Sequence, residues 1–233
     1  MRMPPRIELK QVSDSITTTA KEPSIKALIA LLAKYPGLFA RMAVLYGTRA
    51  SARNHDEMID QFNESASMLL PSEEYSNAKS TICAAISLLK TRNPDIAWVY
   101  GLVLNCYVDH CLRMRLGAAL RCDVMVWIDG TKIKPSRNNI DFGCLSATQD
   151  GEFYECKANP RRVGYRGKIG KQFRLLVNIH NALATEDVPV ICCLVTYFGQ
   201  HVADTVIKQY GLNGIIIPIG RDRIDSLAKK RPA

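Results

Sequence analysis

The chain has 233 residues, 47% of them hydrophobic and 23% charged, with a formal net charge of +9. This composition fits a soluble globular protein of one large or two small domains, with no internal repeat and no low-complexity tract. The excess charge is uneven, +3 over residues 1–120 and +6 over residues 121–233, so a polyanion is the expected partner, although ribosomal association or simple solubility would give a similar balance.

Other classes are set aside by what the sequence lacks. The eight cysteines contain no CxxC pair and lie mostly inside apolar runs, where free cysteine acts as a small hydrophobe. Together with the lack of a visible signal peptide, they point to a reducing cytoplasm. Four scattered histidines give no zinc site and no His-based triad. No segment holds the roughly 20 apolar residues of a membrane helix; Ser24 to Gly47 comes nearest, but Pro36-Gly37 breaks it and Lys26, Lys34 and Arg41 charge it.

In chain order, residues 1–94 read as a helical accessory region. Ser24 caps a helix over Ile25–Lys34, and a second succeeds it over Leu38–Tyr46. A polar stretch holds His55–Ser65, and Ser72, with Glu73 and Glu74 in the first turn, opens a helix towards Thr91. This region would recognise a target, build a dimer interface or buttress the core formed by the rest of the chain. Asn93-Pro94 breaks the chain. Asp95 then caps a helix from Ile96 to Leu116, stopped by Gly117. Cys122–Asp129 is a strand, and Ile140–Ala147 and Glu152–Ala158 form a hairpin around Gln149-Asp150-Gly151. Lys168–Ala184 is a helix with Ile169, Phe173, Leu176, Val177 and His180 on one stripe. Val188–Phe198 is apolar throughout, the mark of a strand buried on both faces. A helix over Gly199–Tyr210 and a strand over Gly214–Ile219 complete a core of residues 95–220. Residues 221–233 form a basic tail whose Lys229-Lys230-Arg231 end is expected to be mobile.

The chemistry concentrates in the hairpin. Alternation puts Glu155 and Lys157 on one face and Tyr154 and Cys156 on the other, and pairing brings Asp141 beside Glu155. Two carboxylates held close raise each other's pKa or require a counter-cation. Mg²⁺, with Mn²⁺ as a substitute, suits one or two carboxylates plus substrate oxygens. Glu-x-Lys by itself is a weak pattern that a surface ion pair would equally explain; the upstream Asp141 and the hairpin placement give it weight.

These residues, with the order helix–three strands–helix–strand, resemble the PD-(D/E)XK nuclease superfamily, whose signature is an Asp on one strand and Glu-x-Lys on the next. Ile140 stands where the name has proline. The resemblance covers about Asp95 to Gly220. It implies an α/β fold with a restriction-endonuclease-like core, a central mixed sheet flanked by helices, preceded here by the helical region. It also implies Asp141 and Glu155 as metal ligands, the Cys156 backbone carbonyl as a third, and Lys157 as the group that positions water or offsets transition-state charge. Gln172 or Lys168 would be the polar residue that such enzymes often carry on the next helix, and Asp109 on the preceding helix is a lesser candidate for an acidic ligand.

Arg161, Arg162, Arg166, Lys168, Lys171 and Arg174 form an acid-free basic segment interrupted by Gly164, Gly167 and Gly170. Such a segment suits a phosphate backbone. The expected function is a Mg²⁺-dependent endonuclease of restriction or defence type acting on double-stranded DNA as a homodimer. A resolvase or repair nuclease of the same superfamily, an inactive nucleic-acid-binding module and a basic structural protein are the alternatives.

Overall fold

A computed structural model of the chain describes residues 5–49, 55–134, 139–148, 150–160, 164–165 and 168–232. Strand β1 (Ile7–Gln11) leads into five helices: α1 (Ser15–Lys21), α2 (Pro23–Lys34), α3 (Pro36–Arg49), α4 (His55–Leu69) and α5 (Ser72–Arg92). Helix α6 (Ile96–Leu116) comes next, then β2 (Arg121–Ile128), β3 (Thr131–Lys132), β4 (Ile140–Leu145) and β5 (Gly151–Cys156). A small ribbon, β6 (Gly164–Tyr165) with β7 (Lys168–Ile169), precedes α7 (Lys171–Thr185), β8 (Val190–Val195), α8 (Gln200–Gln209), β9 (Ile216–Ile219) and a 3₁₀ segment over Arg221–Ala228.

The protein is α/β, with a mixed seven-stranded sheet flanked by helices, in the order β1-β2-β4-β5-β8-β9 with β3 on β2. The first three junctions are antiparallel. The β5–β8 and β8–β9 pairs are parallel, because α7 and α8 carry the chain back across the sheet. The sequence explains the local elements. Asp95 accepts a hydrogen bond from the Trp98 backbone N–H (2.9 Å) and so caps α6, and Gly117 ends it at φ +54°. Asp129-Gly130, both at positive φ, makes the tight turn between β2 and β3.

Two apolar clusters sandwich the sheet. Phe142, Tyr154, Cys193 and Val195 pack under α6 and the N-terminal helices. Phe153, Cys192, Leu194 and Ile216 pack under α7 and α8. The neighbours Tyr154 and Phe153, and Cys193 and Cys192, thus face opposite ways, as strand alternation requires.

Several expectations need correction. Ile7–Gln11 belongs to the sheet as an edge strand on β2 and not to a helical region. Its charged, half-exposed alternation is too short to stand out from sequence. His55–Leu69 is an amphipathic helix that buries Met58, Ile59, Phe62 and Ala66 beneath its polar face. The helix expected from Lys168 starts at Lys171, because Lys168–Ile169 pairs with Gly164–Tyr165. Residues 1–94 also share a core with the sheet. Phe39 stacks on Tyr107 of α6 (ring centroids 4.2 Å apart), and Tyr46 contacts Tyr100 and Tyr197, contacts each adding about 0.5–1.5 kcal/mol beyond area burial. The C-terminal segment is anchored too: Ile224 and Leu227 are buried, Tyr107 donates to Asp225 (2.6 Å), and Arg231 reaches Glu152 (3.2 Å).

Among the described residues no single helix is long and apolar enough to cross a membrane. Helices α2 and α3, apolar as a pair, are bent 108° apart and bury Leu28, Leu32, Leu38 and Phe39 in the core.

Candidate active site

The hairpin forms, with Phe142 opposite Tyr154 and Leu145 opposite Gly151, but its strands are shorter than expected: β4 ends at Leu145 and β5 at Cys156, so Lys157 lies just past the strand. At its far end the Cys156 backbone N–H donates to Asp141 Oδ2 (2.7 Å), fixing that carboxylate across the two strands. Lys157 donates to Glu155 Oε1 in a tight ion pair. The structure therefore gathers Asp141, Glu155, Cys156 and Lys157 at one place.

Electrostatics there are unusual. Glu155 is fully buried, and its second oxygen, Oε2, has no hydrogen-bond partner. Burial, reinforced by the charge of Asp141, pushes the Glu155 carboxyl up to about 8. Burial also raises Asp141, against the opposing pull of Lys157 and the Cys156 N–H. Burial alone would lower Lys157, but Glu155 and Asp141 overcome it and keep the ammonium protonated.

A feature of β2 aims the site. Cys122 pairs with Phe142, and both lie under the helical layer; Val124 pairs with Ile140, and both lie under α7. Strict alternation would keep each strand's two residues on one face. The strand turns over at Asp123, which has φ +48°. Asp123 and Asp141 lie between these pairs, and the charge of Asp123 adds to the rise of Asp141. Asp123 is buried, held by Ser13 and Ser15 hydroxyls (Ser15 Oγ at 3.0 Å) and by Asn139 Nδ2 (3.1 Å). Sequence reading missed it. The available signal was a lone acid near the start of an otherwise apolar strand.

Asp123, Asp141, Cys156 and Lys157 open into a cleft of about 660 Å³ whose opposite wall is α1 and the first half of α6, including Trp98 and Asn105. Gln172, half-buried in the first turn of α7, is not among the residues lining this cleft. Lys168 on β7 and Lys171 and Arg174 in the first turn of α7 are exposed, and Arg174 donates to the Ile169 carbonyl (3.3 Å). Arg161, Arg162 and Arg166 lie outside the described residues. Asp109 is buried and already committed, accepting from Arg113 Nε (2.9 Å) and the Cys122 thiol (3.3 Å). It lines a different cavity, with Cys106 and His110.

The donor set suits a hard, oxygen-seeking cation. Among the described residues no group of three or more His, Cys, Asp or Glu side chains is placed to hold a metal. Two carboxylates and a backbone carbonyl are the sparse set with which Mg²⁺ is commonly held. Glu155 itself is fully buried and is not among the residues lining the cleft, and its unpartnered Oε2 is costly as it stands.

No family model matches the chain, and no curated protein matches it. Among solved structures, it is similar to the crystal structure of protein VC1899 from Vibrio cholerae, at 12% sequence identity and a TM-score of 0.40. The alignment covers 95% of this chain and 57% of that one, so the chain spans little more than half the length of the protein it matches.

Proposed function

We propose that this chain is a divalent-cation-dependent phosphodiesterase acting on nucleic acid, in the first instance a DNA endonuclease with a restriction-endonuclease-like core. The carrying observation is Glu155: fully buried, raised to about 8, and left with one unpartnered oxygen beside a second carboxylate and an ammonium. A group needed only for stability would be paired completely or replaced by an apolar one.

In this reading Asp141, Glu155 and the Cys156 carbonyl hold Mg²⁺ or Mn²⁺. The bound ion would supply Lewis-acid polarisation of the phosphoryl group and lower the pKa of water. The Cys156 N–H keeps Asp141 in one orientation, and Asp123 backs it from the neighbouring strand. Lys157 is held protonated by the two acids, so it has three donors and no lone pair. It therefore cannot take a proton from water. Its part is to orient the attacking oxygen and offset the charge that builds on the phosphorus-bound oxygens. The exposed Lys168, Lys171 and Arg174 would hold the backbone on either side. Double-strand cutting would need two such sites and hence a homodimer.

The test is a cleavage screen of supercoiled plasmid, linear duplex, single strands and RNA with Mg²⁺ or Mn²⁺, with product ends mapped. Cation-dependent cleavage lost in both Asp141→Ala and Lys157→Ala is expected. No cleavage of any substrate, with both variants binding nucleic acid as the parent does, would defeat the proposal.

A further inference from the structure

The wall facing the acids carries side chains that neither the cation site nor the fold requires. Trp98, on the first turn of α6, is 38% exposed and is the only aromatic among the exposed large hydrophobics of the described residues. It lines the same cleft as Asp141 and Lys157. Gly101 and Asn105 come three and seven residues later, so all three share one face of the helix. A Cβ added to Gly101 would meet nothing within 4 Å. The glycine thus leaves an open slot beside the indole, and Asn105 brings an amide donor and acceptor to the end of it. Arg92 lines the cleft as well, its guanidinium fixed by Glu22 (2.6 Å) and Thr19 (3.3 Å).

We infer that this wall is a subsite for one unpaired nucleobase of a single-stranded nucleic acid, stacked on Trp98 and seated in the Gly101 slot. The inference rests on the phosphodiesterase reading for the orientation of the strand. The base lies against α6, and the phosphate next to it lies towards Lys157 and the carboxylates. Three observations choose this occupant. A flat exposed indole beside a gap is the chemistry of base stacking, which is tolerant of sequence because every base has a π-face. The asparagine amide can pair with the Watson–Crick edge of a base, which is free only when the base is unpaired. The cleft volume of about 660 Å³ falls within the roughly 300–1,000 Å³ of a small-molecule site, which leaves room for one or two nucleotides between α6 and the acids.

Two variants separate the subsite from the cation site. Gly101→Leu extends into the slot from a helical position where an added Cβ meets nothing within 4 Å and leucine favours the helix, so the fold is expected to be retained. Trp98→Ala removes the platform, and Trp98→Phe keeps a smaller one. Only Trp98 and Trp127 are tryptophans, and Trp127→Phe deletes a buried indole N–H that lacks a partner, so a Trp127→Phe background leaves Trp98 as the sole reporter.

The 233-residue chain in that background is titrated with a short oligothymidylate, with Ca²⁺ in place of Mg²⁺, and Trp98 fluorescence is monitored. The same strand annealed to oligoadenylate is the comparison. The expected result is saturable quenching by the single strand and little by the duplex. Affinity, read for every variant from the fluorescence anisotropy of a dye-labelled copy of the strand because the Trp98 variants lack the reporter, should fall roughly tenfold or more in Gly101→Leu and Trp98→Ala and change least in Trp98→Phe. Equal quenching by duplex, or single-strand affinity unchanged in both Gly101→Leu and Trp98→Ala, would overturn the inference. The cleavage screen is read separately. Quenching without cleavage by the parent would sink the phosphodiesterase reading and leave the subsite standing. Cleavage without quenching would do the reverse.

Discussion

Strand β5 carries two buried glutamates three residues apart, and the protein treats them in opposite ways. Glu152 is saturated. Its Oε1 accepts from Arg115 Nη1 (3.1 Å) and lies 3.2 Å from Arg231 Nε; its Oε2 accepts from Arg115 Nη2 (2.7 Å) and the Tyr154 hydroxyl (2.5 Å). Burial would raise it, but these partners hold it below the ordinary carboxylate range. Glu155 has one ammonium, a second acid nearby and an oxygen with no partner, and it is raised to about 8. The first arrangement is that of a carboxylate that fastens α6 and the C-terminal segment to the sheet. The second is that of a carboxylate with few partners, which under the proposed function would receive a cation.

The widest gap should appear in activity. Asp141→Asn, Glu155→Gln and Lys157→Met are each expected to lower cation-dependent cleavage by about 10²-fold or more. Glu152→Gln should leave the rate per folded molecule within a few-fold. Matched rate losses for the two glutamines would erase the distinction.

Stability should move the other way. Glu152→Gln strands the Arg115 guanidinium and is expected to cost about 3–5 kcal/mol in urea unfolding. Glu155→Gln removes a carboxyl whose ionised form burial disfavours and leaves an amide oxygen to accept from Lys157, so a smaller cost of about 1–2 kcal/mol is expected.

The pH dependence of unfolding in EDTA sharpens the contrast. Glu152 has a depressed folded pKa, so its contribution is present above its unfolded value near 4.5 and is lost as pH falls through the folded value. Glu155 has a raised folded pKa. Between its ordinary value and about 8 the native state holds a proton that the unfolded state has released, so stability declines as pH rises through that window. Glu152→Gln should remove the acid-side loss and Glu155→Gln the alkaline decline. A parent curve that is flat from about pH 5 to 8 would contradict the second assignment.

The smallest effect is expected at Asp123. Asp123→Asn retains the contacts of the serines and removes a charge beside Asp141. A loss of less than about tenfold in cleavage is expected, with no change in the cleft's affinity for a single strand.

The range of each interaction decided how legible it was in the sequence. Helix α6 was legible because its signals, Asp95 and Gly117, act within a turn of its ends. The hairpin was legible because alternation and an Asp-Gly turn are local, and so Asp141, Glu155 and Lys157 could be named. Arg115 and Glu152 are 37 residues apart, and Glu152 looked like any strand acid until α6 was packed on the sheet. Asp123 depends on a positive φ that its strand would not suggest. Ile224 and Leu227 sit in a charged tail whose burial depends on α6 already being in place.

The most direct measurement is a calorimetric titration of the cation-free protein with Mg²⁺ at about pH 7, repeated in buffers of different ionisation enthalpy to count protons. Saturable binding to the parent with proton release is expected, because burial disfavours the ionised Glu155 carboxyl and a cation beside it favours it. Binding should disappear in Glu155→Gln and survive in Glu152→Gln. Binding of equal strength in Glu155→Gln, or none in the parent, would contradict the assignment of Glu155 as the cation's ligand.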